Sequence, residues 1–187
     1  MDNIGEMILT YKKIYMDPFS PQPSQIDVED IAHALSLMTR ANGHFRCFFS
    51  VAQHSIHCAQ EAKARGEDSR VQLACLLHDA AECYLSDITR PVKRRLPQYV
   101  EAERRLQRAI MAAFSLEGLS GRDWGAVEEI DDAMLYHEFL QLADVRLFDS
   151  QPVLLGNYTF DFRDMGKVER EFLARYAALR EELGCGA

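Results

Sequence analysis

Through most of the chain apolar residues return every three or four positions, the spacing of one face of an α-helix. The densest case is Val71, Ala74, Leu77, His78, Ala81 and Leu85, which predicts a helix over 69–85. The same period predicts helices over 28–38, 50–65, 98–114, 124–147 and 164–183. Two stretches depart from it. Met7 to Tyr11 and Ile14-Tyr15 read as extended, and the proline-rich run from Asp17 to Pro23 closes that region as a loop. Asn157-Tyr158-Thr159-Phe160-Asp161-Phe162 alternates aromatic and polar side chains in the same way. The expectation is an all-α fold with a small accessory β-hairpin or sheet, built from the N- and C-terminal regions together. Residues 1–26 are expected as an extended arm or hairpin on a single domain covering 1–187. Pro91 and Pro97 confine 87–96 to a loop or short turn directly after the 69–85 helix, where substrate-contacting groups are commonly placed.

Three of these helices carry polar groups on apolar faces. His54 shares a stripe with Val51 and Cys58; His78 and Asp79 sit side by side in the run from Ala74 to Glu82; an acidic residue joins the face of Val127, Ile130 and Met134. Burying imidazoles and carboxylates demands a compensating partner, and hydrogen bonds to neighbouring backbone would satisfy the His-Asp pair taken alone. The three helices together offer nitrogen and oxygen donors suited to a divalent transition metal. Glu82 lies one turn beyond His78, beside whatever the histidine holds.

This ordered set, His then His-Asp then Asp, resembles the HD superfamily of metal-dependent phosphohydrolases from about Asp27 to about Leu142. Asp30-Ile31-Ala32-His33-Ala34-Leu35-Ser36, Arg40, Asn42-Gly43-His44 and Ser50-Val51-Ala52-Gln53-His54-Ser55 resemble a bacterial and phage branch of it. Leu77-His78-Asp79-Ala80-Ala81-Glu82, followed by Asp87-Ile88-Thr89-Arg90-Pro91-Val92-Lys93, is similar to the bacterial 5'-deoxynucleotidases. The resemblance implies an HD-domain helical bundle binding one divalent ion, whether Mn, Co, Fe, Zn, Ni or Mg. Its ligands would be His54, His78, Asp79 and one aspartate of the pair Asp131-Asp132. Periodicity favours Asp131, which shares a face with Val127, Met134 and Glu138, with Asp132 as the alternative. Catalytic roles are implied for Glu82 and Asp87, and phosphate binding for Arg40 and Lys93.

The reaction so implied is release of phosphate from a nucleoside 5'-monophosphate or a similar small ester. Two alternatives stay open: a phosphodiesterase or pyrophosphohydrolase acting on a cyclic or polyphosphorylated nucleotide, and a non-catalytic nucleotide-binding module. Arg40 is followed by Ala41, where the deoxynucleotidases have a tryptophan associated with rejection of a 2'-hydroxyl, so strict deoxy selectivity is not implied. The related nucleotidases resemble dimers, and Ala109, Ala112 and Ala113 on the 98–114 helix offer small residues for close approach of a homodimer partner.

Composition narrows the partners. With 187 residues, 48% hydrophobic, and a net charge of -8, the chain suits one sizeable core and disfavours a broad basic surface for a nucleic-acid polymer. A small anion needs only a few converging cations, with Arg40, Arg46, Arg90, Lys93, Arg94 and Arg95 as candidates. Five cysteines without knuckle spacing read as reduced thiols. With no signal-peptide pattern and no membrane-length apolar run, a cytoplasmic location off the membrane is expected. Among the remaining imidazoles, His44 and His57 are expected near the site, where His57, one turn after His54, could support it from behind, and His33 and His137 have a similar minor claim.

Overall fold

The computed structural model describes Gly5 and residues 7–184. Strands β1 (Ile8–Leu9) and β2 (Tyr15–Met16) pair antiparallel in the register Ile8 to Met16 and Leu9 to Tyr15. The hairpin is pinned to the helices by the Lys12 amide, which donates to the buried Asp30 carboxylate at 2.6 Å. The helices then follow as α1 (Val28–Leu37), α2 (Val51–Ala64), α3 (Ser69–Leu77), α4 (Glu82–Leu85), α5 (Arg90–Lys93), α6 (Pro97–Ala113), α7 (Gly121–Ala143) and α8 (Met165–Glu182). This is the expected helical bundle with a small N-terminal sheet.

Local chemistry explains most of the helix starts and one of the ends. Asp27, Ser50, Asp68, Ser120 and Asp164 cap α1, α2, α3, α7 and α8, each side chain accepting from a backbone amide of the first turn that has no helical partner. Pro97 opens α6, where its missing N–H costs nothing. Asp144 closes α7 in a left-handed conformation, so this helix stops at Ala143 rather than reaching Leu147. The core forms around α2, buried along most of its length, with α3, α7 and α8 packed against it. Ile56, Leu73, Leu76, Leu77, Ile130 and Phe172 are fully enclosed there.

Two expectations need correction. The helix predicted over 69–85 is broken: α3 ends at Leu77, and 78–81 continue in tighter turns, with Ala80 N–H to Leu77 O and Glu82 N–H to Asp79 O. The break leaves Ala81 N–H without a backbone partner, and Gln107 of α6 both satisfies it and adds a second bond to Leu77 O. Its amide donates to Leu77 O at 2.7 Å and accepts from Ala81 N–H at 3.2 Å. The second correction concerns 157–162, which is not a strand and adds nothing to the sheet. This segment lies across α2, whose side chains replace a strand partner: Gln53 donates to Asp161 O, and buried Glu61 accepts from Leu155 N–H, Gly156 N–H and the Tyr158 hydroxyl. A side chain at Gly156 would collide with the Tyr158 ring and break this anchor.

Candidate metal and active site

Each polar side chain singled out above reaches the centre of the bundle by a different device. His54 stands in the second turn of α2 and is fully buried. His78 caps α3, and the tight turns after it let the adjacent Asp79 face the same point, which successive residues of a regular helix, 100° apart, do less readily. Asp131 comes from the middle of α7. Arg40 enters from a loop closed by the Thr39–Ser50 bridge and by Arg40 N–H to Phe49 O. Just after it Ala41 and Asn42 adopt left-handed dihedrals, with φ of 52° and 51°, and Gly43 follows at 77°. Such backbone is unfavourable for a residue with a Cβ, and here it reverses the chain beside a buried guanidinium.

Four donor atoms converge. His54 Nε2 lies 3.1 Å from His78 Nε2, 3.6 Å from Asp79 Oδ2 and 3.1 Å from Asp131 Oδ1. His78 Nε2 lies 3.3 Å from Asp79 Oδ2 and 3.7 Å from Asp131 Oδ1. Atoms sharing one ion at a bond length of about 2.1 Å stand about 3.0 Å apart at a right angle, about 3.4 Å at the tetrahedral angle and about 4.2 Å when opposed, and all five separations fall inside that span, the two longest beyond the tetrahedral value.

The hydrogen bonding behind the quartet points the same way. His54 Nδ1 donates to Glu138 Oε1 at 2.6 Å, and His78 Nδ1 donates to the Cys75 carbonyl at 2.7 Å. With the Nδ1 positions protonated, both Nε2 atoms present lone pairs to each other and to two carboxylate oxygens. Four acceptors facing one another require a positive charge between them, as a proton or as a metal ion. Cys58 Sγ approaches His54 Nε2 at 3.5 Å, so His54, Cys58 and His78 also offer a possible nitrogen and sulfur set. Burial holds the Cys58 thiol up at about 11, leaving it the weaker donor beside two ionised aspartates.

Electrostatics reflect the crowding. Burial lowers the His54 and His78 pKa values, and Arg40 adds to this at His54, yet the surrounding anions prevail and both stand above the usual histidine range. Asp79 and Asp131 are held below the carboxylate range despite burial, because both imidazoles face them. Glu82 is displaced in the opposite direction: burial first, then the charges of Asp79 and Asp87, push it well above a normal glutamate. One of its oxygens, Oε2, is buried without a hydrogen-bond partner. Asp87 is raised too, chiefly by burial.

A cavity of about 480 Å³ opens beside this centre. Asp79, Glu82, Asp87, Asp131 and the cations Arg40, Arg90, Lys93 and Arg94 line one part of it, and Phe45, Leu135, Phe139, Leu147 and Phe148 the other. A second cavity of about 500 Å³ reaches His78, Asp79, Glu82 and Lys93 from the side of α6, with Trp124 and Met111 in its wall. Two proposed phosphate groups are already engaged: Arg40 bonds Glu138 and Asp79, and Lys93 Nζ lies 2.6 Å from Glu103. Asp132 stays outside the cluster, its Oδ1 on Arg90. Glu138, which the sequence places two turns after Asp131 on the same helix face, is the buried partner of both His54 and Arg40, a role its position alone does not assign.

The other histidines lie elsewhere. His33 stacks on Tyr11 and meets Glu169, His137 bonds the Pro152 carbonyl, and His44 is exposed. His57 is buried among Phe49, Tyr158 and Phe160, and burial brings its pKa down to about 4. It stays neutral in the folded protein while the unfolded chain takes up a proton near pH 6.5. The stability from this site is therefore complete above about pH 6.5 and falls as pH drops toward 4, by roughly 3 kcal/mol. Thermal unfolding across that window should show a shallower loss for His57→Leu than for the parent protein; equal slopes would place the acid sensitivity elsewhere.

Comparison with known proteins places the chain in a family. The chain is 34% identical over 182 residues to an uncharacterised Rhodobacter capsulatus protein, covering 90% of this chain and 92% of that one. It is 35% identical over 105 residues to the uncharacterised YfdR of Escherichia coli K12, covering 56% and 55%. The HD domain profile matches residues 42–140, a span that contains His54, His78, Asp79 and Asp131. Because this profile spans just over half of the chain, and the Rhodobacter protein is 34% identical across 90% of it, the chain belongs to the HD domain family.

Proposed function

We propose that the protein is a metal-dependent phosphomonoesterase that releases phosphate from a nucleoside 5'-monophosphate or a similar small ester. The observation that carries this reading is the meeting of two imidazole lone pairs and two carboxylates at 3.1–3.7 Å beside a cavity lined with cations. His54, His78, Asp79 and Asp131 would hold one divalent ion. Such an ion supplies Lewis acidity toward a phosphoryl oxygen and acidifies water.

The remaining work falls to the chain's own groups. Glu82, buried and raised in pKa, takes the proton of the attacking water; Asp87, in the same cavity, returns a proton to the leaving oxygen. Arg40 and Lys93 place positive charge beside the phosphoryl group. The apolar part of the cavity, with Phe139 and Phe148, suits a nucleobase, and its size is that of a small-ligand site. Pairing as a homodimer through α6 belongs to the same reading; light scattering that finds only monomer at assay concentration removes it.

The phosphodiesterase or pyrophosphohydrolase reading is favoured by one feature, the second cavity, which gives room for a group beyond the scissile phosphorus. A panel of nucleoside mono- and triphosphates and cyclic nucleotides, assayed for phosphate release with manganese, cobalt, magnesium or zinc, separates the two. Elemental analysis is expected to find about one ion per chain, lost in His78→Ala and Asp79→Ala. Unchanged metal content in both variants would place the ion elsewhere.

A further inference from the structure

Of the four cations lining the main cavity, Arg40 is buried, with Nε 3.0 Å from Glu138 and Nη1 3.2 Å from Asp79. Turning it toward a substrate would take the guanidinium from fully buried Glu138 as well as from part-buried Asp79, a costly exchange. Lys93 is held by Glu103, with Glu82 at 3.9 Å. Arg90 differs. Its side chain is 50% exposed, and it grips two aspartates of α7, with Nη2 2.9 Å from Asp131 Oδ2 and Nη1 2.7 Å from Asp132 Oδ1. The other oxygen of Asp131, Oδ1, is the one that faces His54 and His78. Arg90 therefore stands one carboxylate away from the four-atom cluster, on its cavity side.

We infer that Arg90 is the principal phosphate-binding residue, releasing Asp131 and Asp132 to grip the phosphoryl oxygens when substrate enters. The inference rests on the reading of this site as a phosphohydrolase centre. A guanidinium fork that fits two carboxylate oxygens fits two phosphoryl oxygens as well. The exchange is cheap at this position: Asp132 is half exposed and water replaces the lost contact, while Asp131 keeps its partners on the metal side. It also gives the present ion pairs a sense, since they hold the guanidinium beside the reaction centre before the anion arrives.

The competing role, that Arg90 merely orients Asp131, predicts the opposite effect on the metal. Loss of an orienting partner typically weakens metal binding by about 10- to 100-fold. Loss of a phosphate-binding arginine removes a cation that competes for Asp131, so metal affinity holds or rises. The test is calorimetry of manganese binding to the metal-free protein, then of inorganic phosphate binding to the manganese-loaded protein. It compares the parent chain with Arg90→Ala, Arg90→Lys and, as a control away from the cavity, Arg122→Ala. In Arg90→Ala, phosphate binding should weaken on the order of 10- to 100-fold, the scale of a charge-assisted pair of hydrogen bonds, with manganese affinity equal or tighter. Arg90→Lys should recover only part of this, and Arg122→Ala should change little. Phosphate affinity within about twofold of the parent in Arg90→Ala overturns the assignment, as does a tenfold loss of manganese affinity in Arg90→Ala and Arg90→Lys alike. A parent protein that binds no manganese would overturn the reading of the centre itself, a different and separately visible failure.

Discussion

Glu138→Ala is expected to destabilise the protein by roughly 3–5 kcal/mol, a large share of the stability of an ordinary domain. Glu138 is fully buried and divides its two oxygens between His54 Nδ1 at 2.6 Å and Arg40 Nε at 3.0 Å. Those two cationic neighbours hold its carboxyl below the usual range against the pull of burial. Truncation leaves Arg40 buried beside fewer negative charges and frees the His54 ring from the bond that fixes its tautomer. Metal affinity should then fall about 10- to 100-fold, as it does when a ligating histidine loses its supporting carboxylate. Glu138→Gln, which keeps the shape, should lose less stability but still present an amide N–H to one of two donors. Chemical denaturation and a manganese titration on both variants check this. An alanine variant with an unchanged midpoint and slope would show that Arg40 finds a sufficient partner in Asp79.

Glu82→Ala should lower turnover on the order of a hundredfold or more while metal content and nucleotide affinity survive. Glu82 opens α4, immediately after the turns that place His78 and Asp79, yet it lies outside the converging quartet. It is 4% exposed, its Oε2 has no partner, and the nearest cation, Lys93, is 3.9 Å away. A carboxyl so placed is a stronger base than a solvated glutamate, and its one ion pair, to Lys93, is long and leaves Oε2 unengaged, which is what proton transfer to or from water requires. Loss of the metal in this variant would count Glu82 among the ligands. Near-normal turnover would move proton transfer to Asp87 or to water. The readouts are phosphate release under saturating nucleotide and elemental analysis of the same preparation.

How much of this centre is legible along the chain depends on the range of the interaction. His54 and His78-Asp79 stand out as polar residues in apolar helical runs, a one-helix property visible at a spacing of three or four residues, whereas the choice of Asp131 over Asp132 stays open until α7 is packed. The caps at Asp27, Ser50, Asp68, Ser120 and Asp164 are equally local. The break at His78 is not. The run from Val71 to Leu85 keeps helical periodicity throughout, and the backbone tightens there only because Gln107, from a different helix, takes up Leu77 O and Ala81 N–H. The aromatic alternation over 157–162 likewise has the period of a strand. No neighbouring strand is available, and Gln53 and Glu61 supply hydrogen bonds from side chains instead.

By itself, then, the sequence determined a helical bundle, a set of nitrogen and oxygen donors on three helices, and membership of a family in which such donors hold a metal. Periodicity and burial of polar groups are enough for that. The tertiary structure decided the partners: Glu138 for His54 across 84 positions, Glu138 for Arg40 across 98, and Arg90 for Asp131 across 41. No local pattern encodes such pairs, since any of several carboxylates could meet a given cation. The choice is made when close-packed helices leave a buried charge only one or two partners within reach, and the cost of leaving it unpaired excludes the other arrangements.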